Sequence, residues 1–389
     1  MTTGKTGETT RRRFMEMAAM GASGLALGRV PEAVAANPRK DPKFMRSALI
    51  HLGSNMWDDF PLNPEDLAKS KEEEAKRPNP MAPNRHDKRC KPTRYHNYLR
   101  TDDETIKGHF DHCAKKGLNT VFIDLGEGLF YPSHPELAVP GTWSVEKMRK
   151  ELARIRSLGL EPCPKLNFSS THDGWLKYYH RMLSTPKYYE VVADLIRDVV
   201  EIFDHPRLFH IGYDEEFAEA QFNTFFCVMR QGDLWWHDLN YTVGQVSKHG
   251  ARPVMWADAI WTGREEFIRR ASRDILMSNW YYRDDFSEKK QKWDYEFEKK
   301  GGWGETRNGL AGFIALEEGG FDQLPCGSNW NNDRNMELIV DFCSKHIDPS
   351  RLKGFMMTPW DAPSVPGWSC KHTRAGIDQL AAALRKHSY

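Results

Sequence analysis

The apolar pattern of this chain changes period repeatedly. Short β-type runs alternate with stretches whose apolar residues recur every three to four positions. Eight runs read as strands: Arg46–Gly53, Asn119–Leu125, Glu161–Phe168, Leu208–Gly212, Arg252–Ala257, Asp274–Asn279, Phe321–Cys326 and Gly354–Trp360. The stretches between them carry helix punctuation. Thr101-Asp-Asp-Glu104 forms a capping box ahead of Ile106–Lys116, and Gly117 stops that helix. Ser144 caps a helix running to Ser157, with Gly159 just past its end. Thr185-Pro186 opens a helix over Tyr188–Phe203 that Pro206 closes, and Met336–Lys345 and Ala375–His387 complete the set.

Eight β/α alternations over this length predict an α/β protein: a single (β/α)8 TIM barrel over residues 37–389. The competing fold, a doubly wound open sheet, lacks support because the chain has no G-x-G-x-x-G turn. The β1–α1 connection, roughly Asp58 to Leu99, is long and rich in Lys, Glu and Pro. It belongs over the carboxyl face, where barrel active sites lie. Neither an internal repeat nor a second domain is expected.

The first 36 residues stand apart. Arg11-Arg12-Arg13 precede a short apolar stretch from Met17 to Leu27, then Ala33-Val34-Ala35. Twin arginines before a short apolar region and a small-residue cleavage pattern read as a Tat signal peptide, so the mature protein is expected to be periplasmic or secreted. No later segment is apolar for long enough to span a membrane. Net charge is +1, from 55 basic and 54 acidic residues, so no basic face points to nucleic acid. Nothing in the sequence sets an oligomeric state. None of the seven cysteines forms a C-x-x-C pair, which argues against a zinc ribbon. Cys113, Cys163, Cys227 and Cys343 sit in apolar patterns as small core residues, and Cys90 and Cys370 lie in loops that one disulfide would join.

Chemistry concentrates where the strands end. The apolar run Arg207–Ile211 is followed by a glycine, Tyr213, and then Asp214, Glu215 and Glu216. Carboxylates crowded at the end of a buried strand lose hydration and repel one another, which drives their pKa values apart. Polar and aromatic groups follow the other strands too: Asp124 and Glu127, His172, Trp256 and Asp258, Trp280 and Tyr281, Asn329 and Trp330, Trp360 and Asp361. In a barrel these converge on one rim, and Asn, Asp and His bonding hydroxyls beside Trp and Tyr walls suit a carbohydrate substrate. An aromatic content of 12%, with 13 Trp, agrees with that.

Leu208-Phe-His-Ile-Gly-Tyr-Asp-Glu215 resembles the strand-4 signature His-x-Gly-Gly-Asp-Glu of family 20 glycoside hydrolases, the β-N-acetylhexosaminidases. The resemblance implies Glu215 as the general acid and Asp214 as the residue that orients a substrate acetamido group, itself the nucleophile. It implies that Trp256, Trp280 and Trp360 wall the sugar, that Tyr281 bonds the acetamido oxygen and that His172 supports the acidic pair. It calls for no cofactor and no metal. The chain departs from the pattern in places. Tyr213 replaces the second glycine, Trp360-Asp361 replaces a Trp-Glu pair, and no clear arginine follows the first strand. Acid catalysis at Glu215 therefore carries over better than N-acetylhexosamine specificity. Two rival readings stay open: a metal-dependent sugar isomerase or hydrolase with Glu127, His210, Asp214 and Asp258 as ligands, and a non-catalytic sugar-binding barrel.

Overall fold

The computed structural model describes residues 44–54, 96–218, 221, 228–302, 304–360 and 364–389. The eight strands are β1 (Met45–His51), β2 (Thr120–Asp124), β3 (Glu161–Lys165), β4 (Leu208–His210), β5 (Arg252–Trp256), β6 (Leu276–Ser278), β7 (Cys326–Gly327) and β8 (Gly354–Met357). All pair in parallel in the order β6-β5-β4-β3-β2-β1-β8-β7, and bridges from Met277 to Gln323 and from Trp280 to Cys326 join the two ends. This is a single (β/α)8 barrel, as the alternation predicted. Among the described residues the helices are α1 (Asp103–Lys115), α2 (Val145–Ser157), α3 (Pro186–Ile202), α4 (Gly232–Lys248), α5 (Arg264–Arg270), α6 (Glu288–Gln291), α7 (Tyr295–Lys300), α8 (Leu310–Glu318), α9 (Asn335–His346) and α10 (Trp368–Lys386). No helix among them is long and apolar enough to cross a membrane.

Local rules explain most boundaries. Asp102 caps α1 by accepting from the Thr105 N–H at 2.8 Å, one residue later than the sequence suggested; Thr101 instead donates its hydroxyl to the Leu52 carbonyl. Ser144 and Thr185 cap α2 and α3 as expected. Strand β7 is shorter and later than predicted. Gln323 bridges Met277 and Leu352, Pro325 cannot donate, and regular pairing begins only at Cys326. The N-terminal 43 residues, most of the β1–α1 connection, Cys90, Cys227 and Asp361 lie outside the described residues. Cys113, Cys163, Cys326 and Cys343 are buried, and Cys370 lies within α10 rather than in the loop expected for it.

The β3–β4 seam has a chemical cause. Leu166 and Phe168 donate backbone N–H groups across it, to the His210 and Ile211 carbonyls. The preceding positions of that register are Pro162 and Pro164, which have no N–H to give. The ladder there is reduced to one pair, Lys165 opposite His210.

One core residue sets an acid limit. His109 on α1 is fully buried, and neither ring nitrogen has a hydrogen-bond partner among the described residues. Burial, then Arg374 and His112, pull its pKa from 6.5 down to about 4. Between those values the unfolded chain binds a proton that the folded chain refuses, so stability falls as pH drops from 6.5 towards 4, by about 3 kcal/mol in total. His109→Leu should remove this slope; urea midpoints for both proteins at pH 7, 5.5 and 4.5 read it directly.

Candidate active site

The carboxyl ends of the strands carry the site, and the exit from β4 has an unusual backbone. Gly212, Tyr213 and Glu215 have φ of 78°, 73° and 58°. Glycine is required at 212 on two counts: the left-handed φ, and a Cβ that would fall 1.9 Å from Asn167 Oδ1. Tyr213 adopts a left-handed conformation that costs a non-glycine residue about 1–2 kcal/mol. Its buried ring repays this on the outer side of the barrel, with the Arg230 guanidinium 4.6 Å from its centroid and its hydroxyl 3.0 Å from Thr242 Oγ1. The family signature's second glycine is thus replaced without losing the backbone shape glycine favours.

This turn aims Asp214 and Glu215 at the loop after β3. Asn167 Nδ2 donates to Asp214 Oδ1 at 2.9 Å, while Ser169 and Thr171 hydroxyls donate to the Asp214 carbonyl. His172 Nε2 lies 3.2 Å from Asp214 Oδ2 and 3.1 Å from Glu215 Oε2. The Glu215 side chain remains 14% exposed, against 9% for Asp214. Glu215's pKa is raised, first by burial; His172 opposes the shift, and the Asp214 and Glu305 charges add to it. Of the two causes the sequence suggested, lost hydration and mutual repulsion, desolvation leads. Burial disfavours the charged form of His172, yet Asp214 and Glu215 outweigh it and raise its pKa. Asp258 is 1% exposed and accepts from the Glu215 N–H through Oδ2 at 2.9 Å. Burial, then Asp214, hold its carboxyl well above the usual range.

Glu216 turns away from this group. It accepts from the Ser170 N–H at 2.6 Å, from Trp235 Nε1 at 2.7 Å and from the fully buried Arg230. It is a structural anchor for the two loops.

The aromatic residues form a connected cluster of their own. Trp256, the last residue of β5, and Trp360 after β8 have ring centroids 5.6 Å apart. Their strands are not neighbours in the sheet, so this contact spans the barrel mouth. Tyr282 lies 6.2 Å from Trp360 and stacks on Trp280 at 4.9 Å; Trp261 closes on Trp280 at 4.5 Å. Tyr281 is elsewhere. Its hydroxyl donates to the Asp285 carbonyl and its ring packs on Phe286. Period-two alternation beyond β6 explains this, because residues 280 and 282 share a side and 281 takes the other. Tyr282, absent from the sequence-derived set, was findable by that rule. Asn329 also points outward, donating to the His372 carbonyl of α10, with Trp330 half-buried after it.

The floor is polar. Lys165, 1% exposed, donates to Asp124 Oδ2 at 2.7 Å, and His51 Nδ1 approaches the same oxygen at 3.1 Å. Burial works against ionised Asp124, but Lys165 and His51 prevail and hold it far below the usual carboxylate range. Among the described residues, a lysine from β3 is the cation beside the end of β1. Glu127 accepts from the Ser54 N–H at 2.8 Å, and His210 Nδ1 accepts from Gly212. Among the described residues no group of three or more His, Cys, Asp or Glu side chains is arranged to hold a metal ion.

Comparison with family models and with curated proteins finds no match. Comparison with solved structures does. The pneumococcal StrH structure superposes with a TM-score of 0.53 at 12% identity, covering 90% of this chain and 86% of that one. The GH20 β-N-acetylhexosaminidase of Streptomyces coelicolor A3(2) gives 0.51 at 11% identity, covering 87% and 64%. The GH20 exo-β-N-acetylglucosaminidase of Vibrio harveyi gives 0.48 at 15% identity. This chain spans 55% of the Vibrio structure's length and 48% of that of Flavobacterium johnsoniae chitobiase. Likeness at these identities establishes the fold: the chain has a barrel of the kind found in GH20 enzymes.

Proposed function

We propose that this protein is a glycoside hydrolase, with Glu215 as general acid and Asp214 as its partner. The observation that carries the reading is the Asp214–Glu215 pair clamped by His172 at a barrel mouth walled by Trp256 and Trp360. Glu215 is the more exposed of the two and is biased towards its protonated form, as a donor to a leaving glycosidic oxygen must be. Asp214 is fixed through Asn167 and His172 and presents an acceptor to a substrate N–H. On an N-acetylhexosaminide the acetamido oxygen would attack the anomeric carbon while Glu215 protonates the leaving oxygen. The Glu215 carboxylate would then take a proton from the water that opens the cyclic intermediate. Trp280, Tyr282 and Trp360 supply apolar faces for the ring, and the fully buried Trp256 backs Trp360 from beneath.

Residues 37–389 form the catalytic domain in this reading, and residues 1–36 direct twin-arginine export to the periplasm or medium. A panel of 4-nitrophenyl glycosides tests the function, with the β-N-acetylglucosaminide and β-N-acetylgalactosaminide expected to be cleaved; silence across the panel and on chitooligosaccharides would sink it. Export is checked by whether the secreted chain starts near Ala36.

A further inference from the structure

The two clamps on the acidic turn differ. The loop after β3 holds carbonyl oxygens, through Ser169 and Thr171. A single group, Asp258 Oδ2, holds the Glu215 N–H. Glu215 is a non-glycine residue at φ 58°, a conformation that relaxes unless its surroundings fix it. We propose that Asp258 is a positioning residue: by anchoring the Glu215 N–H it sets the left-handed backbone there, and so the direction in which the Glu215 carboxyl emerges towards His172. This rests on the reading of Glu215 as the acid.

The chemistry of Asp258 fits that role better than contact with a sugar. At 1% exposure it offers almost no surface to a ligand. Asp214 and Glu215 face it from the β4 exit. It also borders a hollow of about 490 Å³, where Glu216, Glu266, Glu298, Lys299 and Lys300 form part of the wall. Its second oxygen, Oδ1, has no hydrogen-bond partner among the described residues. A third charge beside Asp214 and Glu215 would be repelled, and burial favours the neutral acid. A neutral carboxyl still accepts an N–H through its carbonyl oxygen, so Asp258 holds the turn without adding to the charge at the mouth.

The amide of asparagine keeps that acceptor, and alanine removes it. Asp258→Asn should therefore retain kcat within about threefold and keep the pH profile of the parent protein. Asp258→Ala should lose about 100-fold in kcat with KM within about threefold, the scale of a misplaced catalytic group. Crystal structures give a readout that needs no substrate: in Asp258→Ala, Glu215 should leave its positive φ and its 3.1 Å approach to His172 should open. If alanine fails to fold, Asp258→Ser, one bond too short to reach the N–H, replaces it. Glu215 unmoved in the alanine or serine structure overturns the proposal, as does an asparagine variant as damaged as alanine. A parallel Glu215→Gln variant separates the two ideas. Full turnover there defeats Glu215 as the acid, whereas the backbone of Glu215 in the Asp258 variants still decides the positioning role.

Discussion

Glu215→Gln is expected to lower kcat by roughly 10²–10⁴-fold, the usual contribution of a positioned general acid. Gln cannot give a proton to the leaving oxygen, so the loss should grow as the leaving group becomes more basic. A sugar aglycone should suffer most and a nitrophenolate least. The stability of the variant separates this from structural damage. Glu215's pKa is raised in the fold, so the folded chain holds a proton that the unfolded chain releases above its ordinary value. That group's contribution to stability declines as pH rises from the ordinary glutamate range through the raised value, and Gln carries no such penalty. Glu215→Gln should therefore be as stable as the parent at neutral pH, or more so. Parent activity should fall as pH rises through the same raised value. Thermal melts alongside kcat measurements across pH decide both points; a variant crippled in turnover and in stability alike would argue that Glu215 is structural.

The second large effect lies behind the site. Arg230 is fully buried, donates to Glu216 and to the Phe168 carbonyl, and covers the Tyr213 ring. Arg230→Met leaves Glu216 as an unpaired buried charge and should cost about 3–5 kcal/mol of unfolding free energy by urea titration. Adding Glu216→Gln should recover part of that, because the amide oxygen still accepts from the Ser170 N–H and one stranded charge is gone, while buried Asp238, 3.6 Å from Arg230, still lacks that cation. Single and double variants together form a cycle whose coupling term measures the pair. Additive losses would show that the contact contributes nothing of its own.

The barrel was legible because its signals are local. Short apolar runs alternating with helical stretches mark the strands, and Ser144 and Thr185-Pro186 mark two helix starts. Helices α4 and α8 were not foreseen. Gln231 gives α4 no side-chain cap, and α8 is apolar nearly all round, so neither announces itself by punctuation or by an amphipathic stripe. At the site, the acidic doublet was visible because charge seldom follows a buried strand so closely. The partner of Glu216 was not, since Arg230 lies 14 positions away and meets it only through the fold. Tyr281 and Tyr282 were indistinguishable by composition, and only the side each takes after β6 separates them.

The two prolines of β3 have a mechanical meaning. A cylinder of strands stays shut by its backbone bonds, and between β3 and β4 two N–H donors are missing. The gap is bridged by Asn167, Ser169 and Thr171 gripping Asp214. Staves of the cask are thus riveted together at the spot where the proposed reaction happens, so loosening a rivet to alter catalysis also slackens the wall.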